Sequence, residues 1–232
     1  FENYMTIDLE HKLNTIGNNL KTFKSYLEVL RKTGIISFNP FVKYEITIPK
    51  EESVGIALDD GEMKELNELD LSENPRLDVV RDQFLVLCWT GLRISDFKSF
   101  NEIPKDDDII TITNKKTGEE AHIPIFPKTK EILKKYDGKF PKTISEQNMN
   151  NYLKEIGLMI KGLERSIEVT YTKGGLQVKE IKKRNELLSL HVGRRTLSTH
   201  LASIGIPYHE IMLITGHKSL KNFQNSSLMQ SS

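Results

Sequence analysis

The chain has 232 residues, 38% of them hydrophobic and 28% charged, proportions that fit a soluble globular protein of one or two domains. No apolar run is long enough for a membrane span, no signal peptide opens the chain, and the start at Phe1 rather than Met reads as a piece of a longer protein. The formal net charge of +1 gives no global argument for a nucleic-acid partner, and a single cysteine, Cys88, excludes an internal disulfide framework.

In chain order, Leu13, Ile16, Leu20, Phe23, Leu27 and Leu30 recur at three- and four-residue steps, which predicts an amphipathic helix within residues 1–36, stopped at Gly34. Asn39-Pro40 marks a turn, and residues 44–57, with Pro49, read as an extended linker. Asp59 followed three residues later by Glu62 is a capping-box pattern that opens a helix through about Leu69. From Leu77 to Trp89 the chain is apolar nearly all round, as in a buried helix, and Cys88 in the run FLVLCW reads as a core thiol. Gly91 ends that helix, and Arg93 is expected in the first turn of the next, with Asp96 placed to orient it.

Ile109–Thr113 and Ala121–Ile125 are β-rich runs around Gly118 and predict a hairpin whose loop carries Lys115 and Lys116. Helical patterns follow at 127–136 and 145–161, the second with Ser145 as N-cap. Residues 166–172 and 176–182, joined by Lys173-Gly-Gly175, predict a second hairpin with a basic exit, Lys182-Lys183-Arg184. The closing stretch 191–217 holds two short helices, separated by Gly205 and restarted at Pro207. His191 and Arg194 stand at i, i+3 spacing and share a helix face, and His217 follows a second helix stop at Gly216. Charge is unevenly distributed: residues 173–221 carry nine Lys/Arg against three Glu, whereas 45–108 carry seven against seventeen acids. One basic face suffices to hold a polyanion.

TGLRISD at 90–96, KTGEEAHIPI at 116–125, H-x-x-R at 191–194 and TGH at 215–217 occur in this order. Together they resemble the tyrosine recombinase (phage integrase) family. The resemblance implies a mainly α fold with small β hairpins, that of the DNA breaking-rejoining enzymes. It implies a partial helical core-binding domain and linker at 1–50 and a catalytic domain at 51–232. The implied activity is site-specific DNA recombination by phosphoryl transfer through a 3′-phosphotyrosine. Arg93, Lys116, His191, Arg194 and His217 are the implied catalytic set, with Lys115 the competing choice for the hairpin lysine. Lys115, Lys182, Lys183, Arg184, Arg195 and Lys218 are expected against DNA. The expected partner is double-stranded DNA, with a tetramer assembled on it, in the cytoplasm, with no metal, no cofactor and no membrane.

The chemistry of the residues agrees. Two arginines stabilise the charge that gathers on the non-bridging oxygens during an in-line displacement. A protonated lysine can donate to the leaving 5′ oxygen, and a histidine can take the proton of a hydroxyl nucleophile. One departure stands out: Ser226 occupies the position where the family has its nucleophilic tyrosine, and no tyrosine follows Tyr208. The alternative reading is a catalytically inactive DNA-binding protein that regulates recombination.

Overall fold

The computed structural model describes residues 1–97, 108–113, 118, 120–138, 144–217, 220 and 223. Its elements are mostly helical, with two two-stranded sheets. They form two compact units, one of residues 1–54 and 168–181, the other of 55–167 and 182–232.

In the first unit, helix α1 (Leu13–Lys32) ends before Gly34, whose φ of 77° only glycine adopts without strain. The short α2 (Pro40–Lys43) is capped by the Asn39 side chain, which accepts from the Phe41 N–H. Met5, Ile16, Leu20 and Phe41 form a small core. Most of the later hairpin belongs to this unit. Gly174 donates its N–H to the His11 carbonyl, Thr172 donates to Glu51, and the Lys12 ammonium sits 4.1 Å over the Tyr171 ring.

The second unit opens with α3 (Asp60–Glu68), started by the expected capping box between Asp59 and Glu62. Helix α4 (Pro75–Thr90) is its central member. Leu77, Val80, Phe84, Leu85, Val86 and Leu87 are buried, and Cys88 is a core thiol at 2% exposure. The sequence pattern did not explain how Arg81, Asp82 and Gln83 are buried too. Arg81 Nε donates to Asp82 Oδ1 at 2.7 Å, and Lys135 and Tyr136 donate to Asp82 Oδ2 at 2.6 and 2.8 Å. A buried carboxylate is tolerated when its oxygens are bonded in this way.

After α4 come the short α5 (Ile94–Phe97), then β1 (Ile109–Thr113) and β2 (Glu120–Pro124), paired antiparallel with Ile110 opposite Ile123. Both strands alternate exposed and buried residues, the period-2 signature of one solvated face. Helix α6 (Pro127–Lys135) starts at a proline, and α7 (Glu146–Gly157) is capped by Ser145. Helix α7 stops four residues short of the predicted end, giving way to a 3₁₀ turn at Lys161–Glu164. Strands β3 (Ser166–Lys173) and β4 (Leu176–Lys183) pair across Gly174 and Gly175, both at positive φ as a tight hairpin turn demands. Helices α8 (Leu190–Ser203) and α9 (Tyr208–Thr215) follow, with Pro207 as the N-cap of α9 rather than its first helical residue.

Helix α8 crosses α4 closely at Gly193. A Cβ there would lie 3.1 Å from Leu87 Cβ and 3.2 Å from the Cys88 backbone nitrogen. Backbone of a buried helix cannot move aside as a flexible side chain can. Gly193→Ala is therefore expected to destabilise the fold by about 1–3 kcal/mol despite alanine's better helix propensity. Chemical denaturation of the variant checks this, and a stabilised variant would mean that the two helices part freely.

Candidate active site

Two helix ends are built alike. Helix α4 ends in Thr90-Gly91 and α9 in Thr215-Gly216. Each threonine hydroxyl donates back to the carbonyl four residues earlier, Thr90 to Val86 at 2.7 Å and Thr215 to Ile211 at 2.6 Å. Each glycine is left-handed, at φ 64° and 63°, and turns the chain out of the helix. The two ends meet against α8. A Cβ on Gly91 would stand 2.8 Å from Leu197 Cδ2 and 3.2 Å from Thr215 Cγ2.

Arg194 of α8 ties these ends together. Its Nη1 donates to the Gly91 carbonyl at 2.9 Å, and its Nη2 donates to the Thr215 carbonyl. Terminal carbonyls are the negative ends of their helices and lack partners within them, so a cation is favoured there. The side chain is only 8% exposed. Burial first, and then nearby Arg93, push its pKa down to about 9, which leaves the guanidinium charged at neutral pH.

Arg93 follows the α4 stop. Its carbonyl accepts from the Asp96 and Phe97 N–H groups, both at 2.9 Å, so Arg93 caps the short α5 instead of lying in its first turn as expected. The side chain keeps 22% exposure, and its Nη1 stands 3.8 Å from Asp96 Oδ2, a loose ion pair.

His217 lies beside both arginines. Nη2 of Arg194 is 3.2 Å from Nε2 and 3.3 Å from Nδ1, Thr215 Oγ1 is 2.7 Å from Nδ1, and Phe223 meets the ring edge-on at 5.5 Å. Burial, then Arg194 and Arg93, push its pKa down to about 3. His191, at the start of α8, is exposed to solvent as a residue, and its pKa is shifted down by partial desolvation of the ring first, then by Arg195 and Arg194, with Glu146 opposing and Arg93 adding to the shift. The charge on Arg93 thus acts on Arg194, His191 and His217 alike, and residues from three separate segments share one basic site.

The remaining sequence-selected residues divide. Lys115, Lys116, Lys218 and Ser226 lie outside the described residues. Lys183 is exposed at the end of β4 and Lys182 is half-buried. Arg184, expected along DNA, turns inward in the structure. Its Nε and Nη2 each donate to the buried Glu62 at 2.7 Å, and Nη2 also donates to the Ala57 carbonyl. Arg195 is half-buried against the backbone at Gly55, where a Cβ would stand 1.4 Å from its Nη1. The sequence reading missed Thr90, Thr215 and Phe223 as builders of the site. The repeated Thr-Gly before each motif's basic residue was the available signal.

A mainly helical domain with its basic residues gathered at two Thr-Gly helix ends has known counterparts. The model of the phage integrase family matches residues 57–225, and the chain belongs to this family. Its members are tyrosine recombinases, enzymes that break and rejoin DNA at specific sites. The tyrosine recombinase XerC of Rickettsia prowazekii (strain Madrid E) is 27% identical over 217 residues, which is 91% of this chain and 68% of that protein. XerC of Rickettsia typhi (strain ATCC VR-144 / Wilmington) matches to the same extent. Among solved structures, a lambda integrase dimer bound to a COC′ core site superposes with TM-score 0.63 at 14% identity, over 92% of this chain and 73% of that one. The Tn1549 transposon integrase in complex with circular intermediate DNA gives 0.60 at 14%, over 97% and 78%.

Proposed function

We propose that this chain is the catalytic part, with some of the core-binding part, of a site-specific recombinase that cuts and rejoins double-stranded DNA. The convergence of Arg93, Arg194 and His217 on one basic site, where Arg194 bonds two helix-end carbonyls, carries the reading. Arg93 and Arg194 hold the non-bridging oxygens of the scissile phosphate and stabilise the charge that grows there in the transition state. His191, kept neutral by its surroundings, accepts the nucleophile's proton. Lys116 donates to the leaving 5′ oxygen. Residues 1–50 supply part of the DNA clamp and 51–232 the chemistry. Exposed Lys183 and its neighbour Lys182 run along the DNA backbone.

The lambda integrase dimer on its core site and the Tn1549 integrase in complex with DNA support DNA as the ligand, and the dimer supports more than one copy on it; we extend this to a tetramer. No described helix is long and apolar enough to cross a membrane; the cytoplasm is our reading from the family alone. Ser226 favours a second reading, a protein that binds DNA and regulates recombination without cutting it.

The test is duplex DNA binding at two salt concentrations. Binding should be weakly sequence-selective, and with about five phosphate contacts the affinity should fall several-hundred-fold between roughly 50 and 200 mM salt. A flat response would overturn phosphate-driven contact.

A further inference from the structure

Thr215 does more than end α9. Its Oγ1 stands 2.6 Å from the Ile211 carbonyl oxygen and 2.7 Å from Nδ1 of His217. Two oxygens that close need a proton between them. The carbonyl has none, so the single hydroxyl proton of Thr215 points at Ile211. The short contact to the imidazole then needs a proton from the ring, and Nδ1–H donates to Thr215 Oγ1.

Two cations act on the ring, Arg194 from α8 and Arg93 from the segment after α4. Helix α9 contributes the Thr215 hydroxyl, and Phe223 an aromatic edge. Nη2 of Arg194 is almost equidistant from the two ring nitrogens, which places it over the ring face rather than on an in-plane lone pair. Burial and two neighbouring cations keep the ring neutral. A neutral imidazole protonated at Nδ1 has a lone pair at Nε2, and a lone pair repels a phosphate oxygen.

We propose that Thr215 is a positioning residue that fixes His217 as its Nδ1-protonated tautomer, so that Nε2 takes up a proton from solvent when a phosphodiester enters the site. The coupling rests on the reading of this pocket as a phosphate site; the tautomer does not. The entering anion offsets the charges of Arg93 and Arg194 and raises the basicity of His217. The imidazolium then donates from Nε2 to a non-bridging oxygen while Nδ1–H stays on Thr215. No bond to phosphorus forms or breaks in this step. A purely structural Thr215, equivalent to Thr90 in α4, would leave the tautomer unaffected.

Imidazole ¹H–¹⁵N spectra of the full chain labelled at histidine nitrogens decide between these, with His217 assigned from His217→Gln. Without DNA and at neutral pH, His217 should show the Nδ1–H pattern. Thr215→Ser should keep it, and Thr215→Val should shift it toward Nε2–H. Adding duplex DNA should convert His217 of the unmodified chain to the doubly protonated pattern. Affinity should strengthen as pH falls from about 8 to about 6, by at most roughly tenfold per unit for one linked proton. In Thr215→Val this dependence should weaken, because a neutral ring can then donate from Nε2.

An Nε2–H pattern in the DNA-free unmodified chain overturns the proposal, even if Thr215→Val fails to fold. So does an unchanged tautomer in a folded Thr215→Val. DNA binding with His217 still neutral overturns the proton uptake. An Nδ1–H pattern in a chain that binds no DNA at any pH supports the role of Thr215 and overturns the phosphate reading and the coupling with it.

Discussion

Arg194→Ala is expected to lower the unfolding free energy by roughly 3–5 kcal/mol and to abolish phosphate-dependent DNA binding together. Hydrogen bonds from a charged donor contribute about 1.5–3 kcal/mol each. Arg194 makes two of them, to the Gly91 and Thr215 carbonyls, at a position only 8% exposed. Alanine leaves both carbonyls without their donor and opens the seam between α4, α8 and α9. Lysine should recover little, because one ammonium cannot span two carbonyls that a planar fork reaches at once. Arg93 provides the contrast. It is 22% exposed, and its ion pair is long at 3.8 Å. Arg93→Ala should therefore cost less stability than Arg194→Ala, with a comparable loss of binding; what it does cost comes from leaving the buried Asp96 carboxylate without that cation. Urea denaturation and DNA titration of the two variants separate the roles. An Arg194→Ala protein as stable as the parent would show that the arginine does not tie the helix ends.

The contrast also shows what a sequence can and cannot disclose. Features set by a few neighbouring residues were legible. The capping box at Asp59 and Glu62, the Ser145 cap, and the stops at Gly34, Gly91 and Gly216 all depend on local backbone chemistry. Partners chosen in three dimensions were not. Lys182-Lys183-Arg184 reads as one basic strip, yet Lys183 faces solvent while Arg184 binds Glu62, 122 residues away in the chain. Charge composition cannot tell a solvated arginine from one that neutralises a buried carboxylate. The second hairpin was found, but its joining to residues 11, 12 and 51 follows from tertiary contacts alone. The motif residues Arg194 and His217, distant in sequence, lie side by side in the structure. Their mutual geometry, with Arg194 spent on two helix ends and Thr215 gripping the imidazole, is a product of packing.

As it stands, the chain should form no covalent DNA adduct, whereas Ser226→Tyr should form one. The serine at the expected nucleophile position, with no tyrosine after Tyr208, motivates the first half. Losing the nucleophile of a catalytic unit removes a factor on the order of a million in rate, and the arginines and histidines that remain cannot supply the attacking atom. A serine hydroxyl is held on a side chain far shorter than tyrosine's, so it falls short of a phosphate placed for a phenol. The second half rests on Phe223, which is helical and fully buried, with its ring 5.5 Å from His217. Residue 226 follows it by three positions. Three positions is the spacing at which side chains share a helix face, which is why a tyrosine at 226 is expected to reach the side on which Phe223 meets His217. Incubation with a nicked suicide substrate, followed by a denaturing gel, reads the result. A shifted protein–DNA band only in Ser226→Tyr would place both the nucleophile and the basic pocket. A band from the unmodified chain would overturn the prediction and point to a serine nucleophile or to a tyrosine from another part of the chain. If Ser226→Tyr gave none while still binding DNA, the segment after Phe223 would not deliver residue 226 to the phosphate, and the regulatory reading of this chain would gain the stronger claim.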